Sequence, residues 1–468
     1  MVEVNARKVF QTTSTRRIDP DYFQKQHLRD EVLISSRSDD FQSFASLGLT
    51  VDASAFYPSI EGFYGQGSLP FLRVADVDSL IDFDGCTRIP ESLCDIYPTL
   101  SRVAAGDIVF TKGGSVARIG LVTKSAAASR DLIFLNSSTL LREDQAFLYL
   151  YAQTSFFNRA LLRSSSQTAQ PHLTVTLVRE LSILRASLSF KSRALEVVDA
   201  AFLAREQALK YQATAETTLL RALGLENWKA PEPLSYIRSS RDVIDAGRLD
   251  AEHFQEGHYA LREVLTSYRT GYVKLCDLSQ KFTNGAEIRE YQETGTPYLR
   301  IGDLQNLSVD SGSVVFVDPV AAAEVLDKVR LKTGDVLISR SGSLAVSAVV
   351  EREWESALIS SHLIRLRIVE NAFDPYFVAF FLKTLPGRMQ IMQWSNGGVQ
   401  PEISQPSLGQ LIVPKVKASV QLDIRRHILE AATARQRSTD LLNAAKRAVE
   451  VAIEKNEKAA FDYLEANT

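Results

Sequence analysis

Two long stretches of the chain combine strong helix formers with a narrow stripe of apolar residues. The first, residues 189–225, is rich in Ala, Leu, Glu, Gln, Lys and Arg and contains no proline. Its first glycine is Gly224, which suits the C-terminus of a helix. The stripe has the spacing expected of a long helix with one partner helix. It consists of Leu195, Val198, Phe202, Leu209, Leu219 and Leu223.

The second stretch, residues 416–465, also contains no proline. Its stripe consists of Ile424, Ile428, Ala431, Leu442, Ala445, Val449, Ala452 and Ala459. Two such stripes in one chain predict a pair of long helices packed against each other. Polar residues interrupt the stripes midway, at Arg205, Gln212, Glu216, Arg435 and Ser438. Either these residues set the register of the pair, as buried polar residues can, or they are exposed where the helices diverge.

The sequence repeats itself with a period of about 230 residues. RRIDPDYFQ (residues 16–24) matches GRLDAEHFQ (residues 247–255). Three further pairs of blocks follow in the same order: LPFLRVADV with TPYLRIGDL, GDIVFTKGGS with GDVLISRSGS, and QPHLTVTLV with QPEISQPSL. One of the long helices comes after each last block. Because the period is too long for a solenoid, we predict a duplicated domain plus a duplicated helix.

The hydrophobic pattern within each repeat predicts short strands and helices. DIVFT and IGLVTK indicate paired strands joined through Lys112, and residues 357–368 alternate in a similar way. Residues 145–163 and 375–393 have helical spacing, and their many aromatic residues are predicted to lie in the core. Asp374 is predicted to cap the second of these helices. Pro231 and Pro233 mark a linker after the first long helix.

Length and composition are those of a globular protein with more than one domain, since 468 residues exceed what one core usually serves. The net charge of -3 implies that any nucleic-acid surface is a local patch or is completed by partner subunits. Cys86, Cys94 and Cys276 are too few and too scattered for a disulfide framework or a zinc site. Neither an export signal nor a membrane span is predicted. We therefore expect a cytoplasmic protein.

Common catalytic signatures are missing from the sequence: GxGxxG, GxxxxGK[ST], GxSxG and HExxH. DPYF (residues 374–377) has a passing likeness to the Asp/Asn-Pro-Pro-Tyr/Phe motif of amino-methyltransferases. It lacks the second proline, and no glycine-rich cofactor motif precedes it. His172 and His362 are the best-placed histidines, but a lone histidine in such a position is more often a hydrogen-bonded structural residue than a base. Neither a catalytic residue nor a metal ligand is predicted.

Polar and basic residues occupy equivalent loops of the two repeats. Lys112 and Arg340 share one hairpin position, and the small residues that follow each of them let backbone amides approach an anion. A polar segment precedes each Gln-Pro dipeptide, RSSSQTAQ at 163–170 and QWSNGGVQ at 393–400. Such side chains either bind phosphates and read base edges or are merely solvated. Because both copies keep the basic residue and the Gln while their neighbours differ, we predict two related DNA readers.

This order of blocks, present twice and each time followed by a long helix, resembles the DNA specificity subunit of type I restriction–modification systems. The resemblance extends from about Asp19 to the end of the chain. It implies an α+β fold with two target recognition domains of mixed α/β structure, residues 1–187 and 235–415. Two long antiparallel coiled-coil helices would join them, residues 188–226 and 416–468, with a linker at 227–234.

The same resemblance implies a non-catalytic subunit that binds a bipartite double-stranded DNA target, one domain per half-site. It would dock two adenine-N6 methyltransferase subunits, and restriction subunits would join for cleavage. Cofactors would belong to these partners, S-adenosylmethionine to the methyltransferase and ATP with Mg to the restriction subunit. A helix of about 36 residues is about 54 Å long, which exceeds the roughly 34 to 36 Å of one DNA turn.

The residues predicted to contact DNA lie on the paired loops. They are Lys112, Ser115, Arg118, Ser165, Gln167 and Gln170 in the first domain, and Arg340, Ser341, Ser343, Asn396 and Gln400 in the second. The two repeats also differ in sequence, since Arg118 aligns with Val346 and Leu184 aligns with Pro414. Two hairpins that contact DNA in different ways are therefore expected. The alternative function is a coiled-coil scaffold whose two β-rich domains bind proteins or glycans.

Overall fold

The chain folds into two compact units, each of which contains one copy of the repeated domain and one half of each long helix. The computed structural model describes residues 20–112, 118–164, 173–369, 372–396 and 400–468. Unit 1 comprises Met1–Leu203 and Arg437–Thr468, and unit 2 comprises Ala204–Gln436. The domain limits expected at residues 187 and 415 stay a prediction.

The predicted central helix is confirmed. It spans Leu188–Leu223 and is followed by Gly224, whose φ of +72° lies in the left-handed region that glycine adopts without strain. The amide of Leu225 then donates to the carbonyl of Leu220 at 2.7 Å, which satisfies one of the last carbonyls of the helix.

The C-terminal helix differs from its prediction. It spans Ala418–Glu454, and a second helix, Glu457–Asn467, follows after a break. Asn456 is extended and its side chain accepts a hydrogen bond from the amide of Ala459, so it caps the second helix. The prediction of one uninterrupted helix is therefore wrong at this asparagine, because a side chain that caps a new helix competes with continuation of the old one.

The two long helices run antiparallel. In unit 1, Ala194 and Val198 from the start of the central helix share a core with Val449 from the end of the C-terminal helix. In unit 2, Leu219 from the end of the central helix shares a core with Ile424 from the start of the other. The predicted pairing and fold class are confirmed: repeated α+β domains joined by two long antiparallel helices.

The buried line of the central helix differs in part from the predicted stripe. Leu209 is 43% exposed, whereas Ala201, Ala204 and Ala208 are buried. Small side chains at these positions allow close approach of the helices, which a stripe of large residues does not. The residues of the second stripe are buried as predicted, except that Ala459 is half-buried.

Polar residues predicted midway along the pair do enter the seam. The guanidinium of Arg435 donates to Gln212 Oε1 at 3.2 Å, and burial lowers the pKa of Arg435 to about 10. The hydroxyl of Ser438 is buried and has no hydrogen-bond partner among the described residues. These burials favour the first of the two alternatives, in which the polar residues set the register of the pair.

Unit 1 contains small sheets with short helices around them. One antiparallel sheet has the strand order Val51–Ala53, Leu132–Leu135, Ile108–Thr111, Ile119–Leu121. A second sheet has the order Arg88–Ile89, Leu69–Leu72, Ala126–Ala128, Arg102–Val103, and its central pair is parallel. Phe41–Ser43 pairs with Ser182–Leu184. The helices are Lys25–Ser36, Leu93–Ile96, Arg142–Gln153, Ser155–Ser164 and Val175–Glu180.

Unit 2 repeats this topology. Its antiparallel sheet has the order Thr283–Asn284, Leu363–Leu366, Val336–Ser339, Ser347–Val349. A second sheet has the order Val315–Val317, Thr296–Leu299, Leu358–Ile359, with the last pair parallel. The remaining strand pairs are Tyr272–Lys274 with Ile412–Pro414, and Leu304–Gln305 with Ser308–Val309. The helices are Ser240–Ala246, Glu256–Thr266, Leu275–Leu278, Pro319–Val329, Pro375–Lys383, Leu385–Trp394 and Gln405–Gly409.

Some predicted elements are divided in the structure. Residues 357–368, predicted to alternate as one strand, form two strands in different sheets, because a turn at His362 separates them. The predicted helices at 145–163 and 375–393 are each interrupted at a threonine, Thr154 or Thr384, whose hydroxyl donates to a carbonyl three residues earlier. Their aromatic residues lie in the core as predicted, and Asp374 caps its helix with a 2.9 Å bond from the amide of Tyr376. In the described ranges, no helix has both the length and the apolar character that a membrane span requires.

The stability of unit 2 should fall as the pH drops from about 6.5 to about 4, because of His258. Burial lowers the pKa of His258 to about 4, from an ordinary value of 6.5. Between these two pH values the unfolded chain binds a proton that the folded chain does not, so acid favours unfolding. We expect a loss of about 2 kcal/mol between pH 7 and pH 5 from this residue alone.

Urea unfolding followed by tryptophan fluorescence measures this effect. The chain has three tryptophans, Trp228, Trp354 and Trp394, and all of them belong to unit 2. His258→Gln should show a shallower loss of stability between pH 7 and pH 5 than the parent. Identical pH dependence of stability in both proteins would contradict the role of His258 in acid destabilisation.

Candidate nucleic-acid interface

Three loops that are distant in sequence meet in unit 2, and Arg340 is the residue that joins them. Its amide donates to the carbonyl of His362 at 2.9 Å, and its carbonyl accepts from the amide of Ile403 at 2.8 Å. The hairpin after Val336–Ser339, the turn before Leu363–Leu366 and the loop of the second Gln-Pro dipeptide are thereby fixed to each other. We call this meeting point of the three loops the loop junction.

The side chains of this junction are polar and reach the surface. The guanidinium of Arg340 forms an ion pair with the carboxylate of Glu402, and their side chains are 25% and 50% exposed. The hydroxyl of Ser341 is hydrogen-bonded to Nδ1 of His362 at 2.6 Å. Asn396 and Glu402 exchange both of their backbone hydrogen bonds at 2.7 Å, so Asn396 lies directly opposite Glu402. The junction therefore combines a guanidinium, a carboxylate, an imidazole, a hydroxyl and an amide.

Unit 1 has the same loop junction with different side chains. The amide of Lys112 donates to the carbonyl of Asp131 at 2.8 Å, and the carbonyl of Lys112 accepts from the amide of Leu173 at 3.1 Å. These two bonds correspond to those of Arg340 in unit 2. The hairpins agree as well, since the amide of Arg118 donates to Thr111 Oγ1 at 2.9 Å and that of Val346 donates to Ser339 Oγ at 3.0 Å. Lys112 and Arg340 thus occupy equivalent positions of one repeated backbone frame.

The residues predicted to contact DNA divide into two groups. Outside the described residues lie Ser115, Ser165, Gln167 and Gln170. The others lie on the junction loops: Lys112, Arg340 and Ser341 are half-buried, and Arg118, Ser343, Asn396 and Gln400 are exposed. The structure brings Arg340, Ser341 and Asn396 together around Glu402. Their contacts with DNA stay a prediction.

The two junctions differ in charge. In unit 1, Lys112, Arg118 and Arg130 form no ion pair with any residue that the structure describes. In unit 2 the single cation at the equivalent position is neutralised by Glu402. The sequence has His172 where the second repeat has Glu402. Unit 1 therefore presents the cations Lys112, Arg118 and Arg130 with the one exposed carboxylate of Asp131, a net positive charge that attracts phosphate. Unit 2 presents a matched pair of opposite charges.

Sequence reasoning missed the middle loop of each junction. This loop contains Arg130 and Asp131 in unit 1, and Ser361 and His362 in unit 2. In both units a serine opens the turn, and its amide donates at 2.9 Å to the carbonyl of Leu72 or Leu299 at the end of a parallel strand. Comparison of SRDL (residues 129–132) with SSHL (residues 360–363) could have identified this loop, since the first and last residues agree. Glu402 was also missed, because nothing in its own repeat block predicts a partner for it.

Within the described part of the chain, no group of three or more His, Cys, Asp or Glu side chains is placed to hold a metal ion. Burial raises the pKa of the Cys86 thiol to about 11, so that it is protonated at neutral pH and a poor nucleophile. The polar side chains of the two loop junctions are instead hydrogen-bond donors and acceptors suited to recognition of a polar ligand.

The chain matches no protein family model and no curated protein. Several solved structures are similar to it. The S subunit of a type I restriction–modification system from M. genitalium is 13% identical, with a TM-score of 0.37, and the match covers 89% of this chain and 95% of that one. The chain is similar to S subunits.

Another similar structure is the HsdS subunit from Thermoanaerobacter tengcongensis, which is 15% identical with a TM-score of 0.28. That match covers 92% of this chain and 94% of the other. The type IIG restriction endonuclease BpuSI is 10% identical with a TM-score of 0.32, over 38% of this chain and 28% of that chain.

Proposed function

We propose that this chain is a non-catalytic, sequence-specific DNA-binding subunit of a type I restriction–modification complex. It recognises a bipartite target, with one half-site for each repeated domain, and docks adenine-N6 methyltransferase subunits. The observation that carries the proposal is the loop junction, which has the same hydrogen-bonded frame in both repeats, a cation at its centre and different side chains around it. A shared frame with different side chains is what two readers of different half-sites require.

The chemistry of the junction fits this role. Cationic side chains and backbone amides on loops bind phosphates and set the position of a protein on the duplex. Arginine pairs with guanine, asparagine with adenine, and a carboxylate accepts from the amino group of cytosine. Arg340, Asn396 and Glu402 supply these three groups within one small surface. Unit 2 thus has side chains suited to discriminate bases, and unit 1 has the cation Lys112 at the centre of its own junction and Arg118 on the same hairpin.

The net charge of the whole chain indicates that partner subunits contribute to DNA binding. A net charge of -3 is unusual for a protein that binds DNA alone, so partner subunits supply much of the neutralising charge. The methyltransferase subunits would bind S-adenosylmethionine, and a restriction subunit would use ATP and Mg. The complex would act in the cytoplasm, where the chromosome and invading DNA are both accessible.

Mapping of methylated adenines throughout the genome, with and without this gene, tests the proposed function. We expect one two-part motif to lose its methylation when the gene is deleted. The same map should be restored by the full-length gene on a plasmid. An unchanged map would overturn the proposal and favour the scaffold alternative.

Lys112→Ala should weaken binding of the complex to a duplex that carries this motif. We expect a loss of roughly tenfold at physiological salt, and a slope of log affinity against log salt that is smaller by about 0.9, because one phosphate contact is removed. Fluorescence anisotropy over a range of salt concentrations measures both quantities. Lys124→Ala is the matched control, since it removes the same charge from an exposed lysine of unit 1 that pairs with Asp84. An unchanged salt slope in Lys112→Ala would exclude the phosphate contact.

A further inference from the structure

We infer that a strongly basic surface of unit 2, apart from the loop junction, binds phosphates of the DNA backbone that flank the base pairs at the junction. Two segments form this basic surface, residues 268–281 and 410–417. Together they contain five cations and one carboxylate, that of Asp277. The inference rests on the proposed function and adds contacts that carry no sequence information. The five cations are all exposed: Arg269, Lys274, Lys281, Lys415 and Lys417.

Strand pairing brings the two segments of the basic surface side by side. Tyr272–Lys274 pairs antiparallel with Ile412–Pro414. Just beyond this pair, the amide of Lys415 donates to the carbonyl of Gly271 at 2.9 Å. The hydroxyl of Thr270 donates to the carbonyl of Lys415 at 2.6 Å. Cations that are more than 130 residues apart in sequence therefore lie on neighbouring strands and their connections.

A polar groove lies between the two segments. It has a volume of about 340 Å³, and Lys281, Gln280, Gln405 and Gln410 are among the residues that line it. The ammonium of Lys274 donates to Gln410 Oε1 at 2.8 Å, so this lysine lies beside the groove that Lys281 lines. Lysine ammonium groups and side-chain amides both donate to phosphate oxygens. The groove therefore offers several donors to an anionic ligand.

The strand Leu363–Leu366 sets the separation between the basic surface and the loop junction. The junction lies before this strand, at His362. The basic surface is attached beyond its end, since the amide of Gln280 donates to the carbonyl of Arg367 at 3.0 Å. Five residues of extended chain span about 16 Å, which is close to the length of about five base pairs of a duplex. One duplex can thus contact both places, with the basic surface at phosphates that flank the base pairs at the junction.

The first repeat has the same strand pair but no basic surface. Phe41–Ser43 pairs with Ser182–Leu184 in the register that unit 2 repeats. The corresponding segments, residues 37–50 and 180–187, contain two cations and three carboxylates, a net charge of -1. The five cations and one carboxylate of the basic surface give +4. Since both copies fold in the same way here, the fold does not require these cations.

The charge of the basic surface is not neutralised within the described part of unit 2. None of its five cations forms an ion pair with a residue that the structure describes there. Lys417 precedes the helix Ala418–Glu454, whose first turn contains no acidic residue, so the positive end of the helix dipole adds to the charge. Such a surface attracts a polyanion. DNA is favoured over an acidic protein because one duplex spans the distance to the loop junction.

Binding measurements on the assembled complex test the inference with the double variant Lys274→Gln and Lys281→Gln. The probes are a duplex with the motif from the methylation map and a duplex of random sequence. We expect affinity for both to fall roughly ten- to thirtyfold at physiological salt, and the salt slope to shrink by up to about 1.8, because two phosphate contacts are lost. The ratio of the two affinities should not change, since phosphates carry no sequence information. Lys415→Gln with Lys417→Gln should also reduce the slope.

Lys210→Gln with Lys229→Gln is the matched control, because it removes the same charge from two other exposed lysines of unit 2. A salt slope in Lys274→Gln with Lys281→Gln equal to that of the control would overturn the inference and leave the proposed function intact. A loss confined to the motif duplex would also overturn it, since these residues would then read bases. So would failure of the variant to assemble with the methyltransferase, measured by sedimentation, because the surface would then bind an acidic protein. Absence of DNA binding by the parent complex would overturn both proposals.

Discussion

Arg340→Ala should weaken DNA binding by the assembled complex more than tenfold, and by more than Lys112→Ala does. The physical reason is the partner of Arg340. Removal of the guanidinium deletes one cation and also leaves the carboxylate of Glu402 without its ion pair, at a surface that phosphates approach. A free carboxylate repels phosphate. Lys112→Ala leaves no such carboxylate behind, because the first repeat has His172 at the position that corresponds to Glu402.

Glu402→Gln should have the opposite effect. It frees the guanidinium of Arg340 while the shape of the side chain is kept, so affinity for random-sequence DNA should rise severalfold and the salt slope should grow by up to about 0.9. The double variant Arg340→Ala with Glu402→Gln should recover part of the loss seen in Arg340→Ala. Anisotropy titrations of the four proteins form a double-mutant cycle that yields the coupling between the two residues.

A matched pair elsewhere in unit 2 provides the control. Arg221 and Glu226 form an exposed ion pair at 2.8 Å at the end of the central helix. Arg221→Ala and Glu226→Gln change the same charges without touching the loop junction, and each should alter DNA affinity less than twofold. If Glu402→Gln behaves like Glu226→Gln, the ion pair with Arg340 is only structural and does not limit binding to non-target DNA.

Asp335→Ala should destabilise unit 2 by about 3 to 5 kcal/mol, the usual cost of breaking a buried ion pair by removal of one partner. Asp335 is 2% exposed. Its carboxylate accepts two bonds from the guanidinium of Arg367, at 2.7 and 2.6 Å, and one from the amide of Lys332 at 2.8 Å. Without the carboxylate, the guanidinium loses its counter-charge and the amide loses its acceptor.

The first repeat provides a comparison for this variant, because Asp107 corresponds to Asp335. Asp107 is equally buried and accepts bonds from the amides of Ala104 and Ser138 at 2.7 and 3.0 Å. Asn136 occupies the position that corresponds to Arg367. Asp107→Ala removes hydrogen bonds but, among the residues that the structure describes, breaks no ion pair, so it should cost roughly 1 to 3 kcal/mol.

Amide hydrogen exchange in the full chain measures the loss of unfolding free energy in both variants on the same scale. The reporting strands are Val336–Ser339 for Asp335→Ala and Ile108–Thr111 for Asp107→Ala. The difference between the two variants reports the contribution of Arg367. Equal losses would mean that the guanidinium contributes nothing to stability, as is often true of ion pairs with access to solvent.

The sequence by itself determined the duplication, the two long helices and their local ends. These features depend on neighbouring residues: a stripe at helical spacing, a glycine at the C-terminus such as Gly224, and a capping side chain such as Asp374. Local signals also account for the errors. Leu209 belongs to a plausible stripe, but only the partner helix decides that the alanines beside it are buried instead. Asn456 ends a helix because its side chain caps the next one.

Only the tertiary structure decided which loops meet. Ser341 and His362 are 21 residues apart in sequence, and Arg340 and Glu402 are 62 apart. The order of strands in the sheet brings them together, since the strand before Arg340 pairs with the strand after His362. The same holds for Tyr57 and Arg130, which are 73 residues apart. Strand order depends on how whole sheets bury their apolar faces, and no local pattern contains that information.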